Sequence, residues 1–142
     1  MTYTSSFIKI ANKLFEHSGK YIEVRNDPNL QIPGFSIIEK DIHGRMIPTI
    51  LINMELIPDD DNIFAHILSH EWGHHVMEHI DIFSPEKQLL ETRVTRQKKE
   101  NEADLFAAQF IKKYSYDTDN IIAFFREHPH DLDNRIQILL SA

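Results

Sequence analysis

The chain has 142 residues, 42% hydrophobic and 26% charged, which suits one domain over 1–142 with a real core and excludes a disordered or collagen-like chain. Fifteen Lys and Arg against 22 Asp and Glu leave a formal charge of −7, which disfavours a nucleic-acid partner, because phosphate binding needs a basic stripe that displaces counterions. There is no cysteine, so disulfides, thiolate metal sites and cysteine nucleophiles are excluded, and any metal must be held by histidine and carboxylate.

Along the chain, Phe7, Ile8, Ile10, Ala11, Leu14 and Phe15 fall at helical spacing and predict a first helix over Ser5 to His17, ending near Gly19. Tyr21 to Arg25 alternates like a short strand. Phe35 to Ile38 and Ile47 to Ile52 pair across His43-Gly44-Arg45. Pro58-Asp59-Asp60-Asp61 supplies N-cap candidates for a helix from about Asp61 to about Ile80. Glu86 to Lys113 has no Pro or Gly and predicts a long helix, and its basic cluster, Arg93 to Lys99, reads as a solvated face. Asp117 to Arg126 and Asp131 to Leu140 carry two last helical patterns. The order of elements predicts an α+β fold with a small sheet gathered on one side. The start lacks a basic segment before an apolar stretch, and the longest apolar-leaning run, Met46 to Ile57, is broken by Pro48, Asn53 and Glu55. Neither a signal peptide nor a membrane span is expected, and a cytoplasmic setting is.

His70-Glu71-Trp72-Gly73-His74 is an H-E-x-x-H motif in the middle of a stretch already assigned as helix. At about 100° per residue the two histidines lie about 40° apart, one turn apart on one face, where two imidazoles can grip one ion. A zinc ion with three protein ligands keeps a fourth position for water, whose pKa falls towards neutrality. Glu71, beside the pair, is the expected general base.

The third ligand is sought on the downstream helix. Glu100 and Asp104 stand at i and i+4, so both project from one face, with the small Ala103, Ala107 and Ala108 along the same side to permit close approach. Glu100 is the expected ligand, and Asp104 the acceptor for a ligand imidazole's outer N–H. Glu102, about 200° round the helix from Glu100, is the alternative ligand. In a bland alternative both acids merely pair with Lys98 and Lys99. His66, His70 and His74 form an i, i+4, i+8 series, but its ends are about 12 Å apart along the helix, too far for one tetrahedral zinc. His66 is therefore expected to pack near the site, while His17, His43 and His75 are expected at the surface or in loops.

The string from Ile63 to His79 resembles the zinc helix of the gluzincin metallopeptidases that include the HtpX-like heat-shock proteases and the CAAX prenyl endopeptidases, and Glu100-x-x-Ala103-Asp104 resembles their second motif. Pro33-Gly34-Phe35-Ser36, His128-Pro129 and Arg135-Ile136 are similar to further elements, so the likeness runs from about Gln31 to Leu139. Those enzymes are usually membrane-embedded, so this chain looks closer to the soluble minimal gluzincins such as abylysin and jannalysin. The resemblance implies a zincin-like domain with one Zn2+ on His70, His74 and Glu100, and an endopeptidase activity on a peptide or protein substrate. It further implies that His128 or His130 helps bind the oxyanion and that Arg135 pairs with acids near the zinc. The spacing from His-Pro to Arg is one residue longer here than in that pattern. His79 also matches a family position. On a continued helix it points away from the ligand face, which leaves it a supporting role.

The strand from about Gly34 to Ile38 is the expected cleft rim, where an extended substrate adds by strand pairing. A non-catalytic or latent zinc protein, such as a metallopeptidase-like antirepressor or a partner-binding scaffold, explains the same ligands, although no helix-turn-helix is evident. The C-terminal segment has two readings as well. It folds over the zinc and makes the protein self-inhibited, or its Leu132, Ile136, Leu139 and Leu140 pack on the core.

Overall fold

The structure, a computed structural model, describes residues 2–80, 91–129 and 131–142. Helix α1 spans Thr2–Ser18, and strands β1, β2 and β3 span Glu23–Asn26, Gly34–Lys40 and Met46–Ile52. A short 3-10 turn, Met54–Leu56, leads into α2 (Asp61–Val76); α3 (Arg93–Lys113), α4 (Thr118–Glu127) and α5 (Leu132–Ser141) follow. The result is a small α+β domain, as the order of elements predicts, with three strands and five helices among the described residues.

The strand order is β1-β3-β2. β2 and β3 pair antiparallel with Ser36 opposite Ile50. Asp41 closes their turn by accepting from the N–H groups of His43 and Arg45, both at 2.8 Å. β1 pairs parallel on the far side of β3, from Glu23 opposite Thr49 to Asn26 opposite Ile52. Pro48 is tolerated in the middle strand because it precedes the stretch paired with β1, where β3 has one neighbour only. Among the described residues β2 is therefore an edge strand, and it is the strand that lies along α2.

α2 is the central element. It is buried on every side, with Phe64, Ala65, Leu68 and Trp72 at 1% exposure or less, which matches its lack of a polar face. Asp60 caps it by accepting from the N–H groups of Asn62 and Ile63. At its other end the helix stops at Val76, four residues short of the sequence expectation. Glu78 adopts a left-handed φ of 57°. Its N–H donates to His75 O (3.1 Å) and that of His79 to His74 O (2.8 Å), a Schellman closure with Glu in place of the usual Gly.

α3 lies against α2 along a strip of small residues. Ala103, Ala107 and Ala108 are all but fully buried, as expected, and Gly73 on α2 completes the approach, since a Cβ there would meet Phe106 at 3.1 Å. Thr92 caps α3 through Oγ1, so the described helix starts at Arg93; the predicted start near Glu86 lies outside the described residues. α5 packs on α3 with Leu139 buried and Leu132 and Ile136 half-buried, but Leu140 faces outward at 61% exposure. Leu140 fails the predicted stripe because Ile138 turns towards the core instead.

Candidate metal centre

α2 presents His70, Glu71 and His74 together, with ligand atoms all within 4.8 Å of one another, a group that could hold a metal ion. α3 brings Glu100 and Asp104 against them, one turn apart on the face that meets α2. The Glu100 carboxylate bridges the imidazoles, with Oε2 3.1 Å from His70 Nε2 and Oε1 3.2 Å from His74 Nε2. Donor atoms around a tetrahedral zinc with bonds of about 2.0–2.1 Å stand about 3.3 Å apart. Both Glu100 contacts have separations of that order, each through a different oxygen, and imidazole nitrogen with carboxylate oxygen is a donor set that suits zinc. The carboxylate stem is exposed, which leaves an approach from solvent.

Each imidazole is oriented from behind. His70 Nδ1 donates to Asp104 Oδ1 at 2.7 Å, and Asp104 is gripped from the other side by Arg135, whose Nε and Nη2 lie 3.0 and 3.1 Å from its oxygens. The Arg135 guanidinium stacks on Phe125 at 4.3 Å. His74 Nδ1 lies 3.0 Å from His79 Nδ1, and His79 Nε2 lies 3.4 Å from Glu102. With the outer His79 N–H towards Glu102, His79 Nδ1 accepts from His74, and both site imidazoles turn Nε2 towards the centre.

The electrostatics follow from these partners. Burial works to raise the Glu100 and Asp104 carboxyls, but hydrogen bonds from the imidazoles outweigh it and hold both well below the usual carboxylate range. Burial also opposes a charge on His70, yet Asp104 and Glu100 raise its pKa to about 10. His79 is lowered by burial and by the neighbouring His74.

Glu71 faces β2 rather than α3. Its Oε1 accepts from Ser36 Oγ at 2.8 Å, and its Oε2 is 3.9 Å from His70 Nε2. Above it a cavity of about 350 Å³ is lined by Ile32, Pro33, Ile67, Phe124, Phe125 and His128. His66 is buried at its floor, edge-on to Phe125 and near His70, as expected. His128 is exposed on the wall, and its Nδ1 donates to Phe124 O at 3.1 Å. His130 lies outside the described residues.

Several expectations need correction. His75 is not a surface residue: it is 3% exposed and its Nε2 bonds Thr49 O at 2.9 Å, tying α2 to β3. His17 is half-buried against Phe106, Phe110 and Tyr114, while His43 is exposed in its turn. His79 does not point away, because the turn at Glu78 folds it back. Glu100 faces His70 and His74, and Glu102 faces His79, so the alternative in which both acids merely pair with Lys98 and Lys99 does not describe them. Ser36 enters the sequence pattern only within Pro33-Gly34-Phe35-Ser36, with no role of its own; the signal for one was a hydroxyl at an inward position of a strand.

No protein-family model, curated protein or solved structure matches this chain. The fold and site define a small α+β protein with a His-Glu-His group that could hold a metal ion. Among the described residues no helix is long and apolar enough to cross a membrane.

Proposed function

We propose that the chain is a zinc metalloendopeptidase of the gluzincin type, with His70, His74 and Glu100 as ligands and Glu71 as base. The observation that carries this reading is a division of labour between two carboxylates. Glu100 spans both imidazoles, whereas Glu71 stands beside them, held by another element. When bound, zinc would supply a Lewis acid for the scissile carbonyl and lower the pKa of water towards neutrality.

The remaining work falls to side chains. Glu71 takes the proton of the attacking water and returns it to the leaving amine. Asp104, Arg135, His79 and Glu102 keep the ligand imidazoles in one orientation. Among the described residues β2 has no strand on its outer side, next to Glu71, where an extended peptide can add as a strand. His128 donates its Nδ1 proton to Phe124, so it can donate to an oxyanion through Nε2 only as imidazolium.

Glu71→Gln tests the reading. The variant should keep its fold and its zinc while hydrolysis of casein or of a peptide library falls by orders of magnitude, and chelator should abolish the wild-type activity. Zinc binding with no proteolysis in the wild type would favour a regulatory zinc protein instead.

A further inference from the structure

We infer that Ser36 is a positioning residue that keeps the Glu71 carboxylate out of the metal's ligand set and so leaves it free as a base. The inference rests on the metal site proposed above. Glu71 is close enough to be a ligand itself, with Oε2 3.9 Å from His70 Nε2 and its donor atom grouped with those of His70 and His74. A carboxylate that ligates the ion gives a lone pair and much of its charge to the metal, which makes it a weaker base towards water.

What distinguishes Glu71 from Glu100 is its partner. Ser36 is 7% exposed on the inward face of β2, where an apolar residue would be the default. Its Oγ stands 2.8 Å from Glu71 Oε1 and 3.0 Å from the Glu71 carbonyl oxygen. A hydroxyl has one proton, and the ionised carboxylate is the stronger acceptor. The bond ties Oε1 to the strand. Two residues earlier on the same face, Gly34 gives the Glu71 stem its room, since a Cβ there would lie 3.1 Å from Glu71 Cγ and 3.4 Å from Ile67 Cγ2. Strand and helix thus approach closely at Gly34, and the hydroxyl at Ser36 fixes where the carboxylate ends.

The test uses the Co2+-loaded protein, whose visible absorption reports coordination independently of turnover. Ser36→Ala should shift that spectrum, hold Co2+ more tightly in chelator competition, and lower kcat by about 10–100-fold with KM little changed. Ser36→Thr, which keeps the hydroxyl, should restore both spectrum and kcat. The Ser36→Ala, Glu71→Gln double variant should show the spectrum of Glu71→Gln alone. If Ser36→Ala fails to fold, Ser36→Cys, which keeps a small side chain but only a weak S–H donor, should shift the spectrum in the same direction. An unchanged spectrum and affinity in the folded variants would overturn the inference. If wild-type protein hydrolyses nothing but the spectra behave as stated, the role of Ser36 stands and the peptidase reading alone falls.

Discussion

The imidazoles of His74 and His79 meet at 3.0 Å between their Nδ1 atoms, five residues apart in sequence but on a turn rather than a helix. The contact depends on the left-handed Glu78, at φ 57°, which reverses the chain directly after α2. It links a histidine of the candidate metal centre to Glu102 on α3 and brings the helix end against that centre.

That geometry ranks the acids. Glu100→Ala should abolish stoichiometric zinc binding, since it removes a proposed ligand. Glu102→Ala and His79→Phe should weaken binding by about 10–100-fold while leaving one zinc per chain at saturation. Elemental analysis with chelator competition separates these outcomes, and the reverse order for the two glutamates would make Glu102 the ligand.

Glu78 itself carries strain, because a Cβ crowds the following carbonyl in the left-handed region. Glu78→Gly should raise the stability of the folded protein by about 1 kcal/mol, seen as a higher urea midpoint at unchanged slope.

Asp104 is 4% exposed and bonds both His70 and Arg135. Asp104→Ala leaves a half-buried guanidinium without its partner and should cost about 3 kcal/mol in unfolding free energy. Denaturation of the metal-free variant measures it, and a loss below about 1 kcal/mol would show that the pair contributes little.

Two histidines shape stability against pH in chelator-treated protein, with opposite signs. Burial lowers the His66 pKa from 6.5 to about 3. Between those values the unfolded chain binds a proton that the fold refuses. The contribution is therefore complete above pH 6.5 and is lost as pH falls towards 3. His70, raised to about 10 by Asp104 and Glu100 against the effect of burial, contributes fully below pH 6.5 and loses its contribution as pH rises through about 10. Stability from these two groups should peak near pH 6.5. In urea titrations His66→Gln should flatten the limb between pH 6.5 and 5, before the carboxylates titrate; an unchanged limb would exclude His66 as its source.

Truncation before Asp131 decides between lid and core for the C-terminal segment. α5 supplies Arg135 to Asp104 and the buried Leu139. The truncated chain should lose cooperative unfolding rather than gain peptide hydrolysis, and a gain with zinc retained would establish self-inhibition.

The sequence by itself determined what local periodicity and chemistry encode. H-E-x-x-H on an uninterrupted helical pattern put two imidazoles and a carboxylate on α2, and the i, i+4 spacing with small neighbours put Glu100 and Asp104 on one face of α3. Those relations hold within a single helix, where 3.6 residues per turn leaves little freedom. What lies across elements was decided only in the tertiary structure. The parallel placement of β1 beyond β3, the burial of His75 under the sheet, and the meeting of Ser36 with Glu71 all depend on how separate segments pack. His79 shows the same division at short range. Its spacing from His74 was legible, but its direction turned on one residue, Glu78, in a conformation that its side chain disfavours and that only the packed fold sustains.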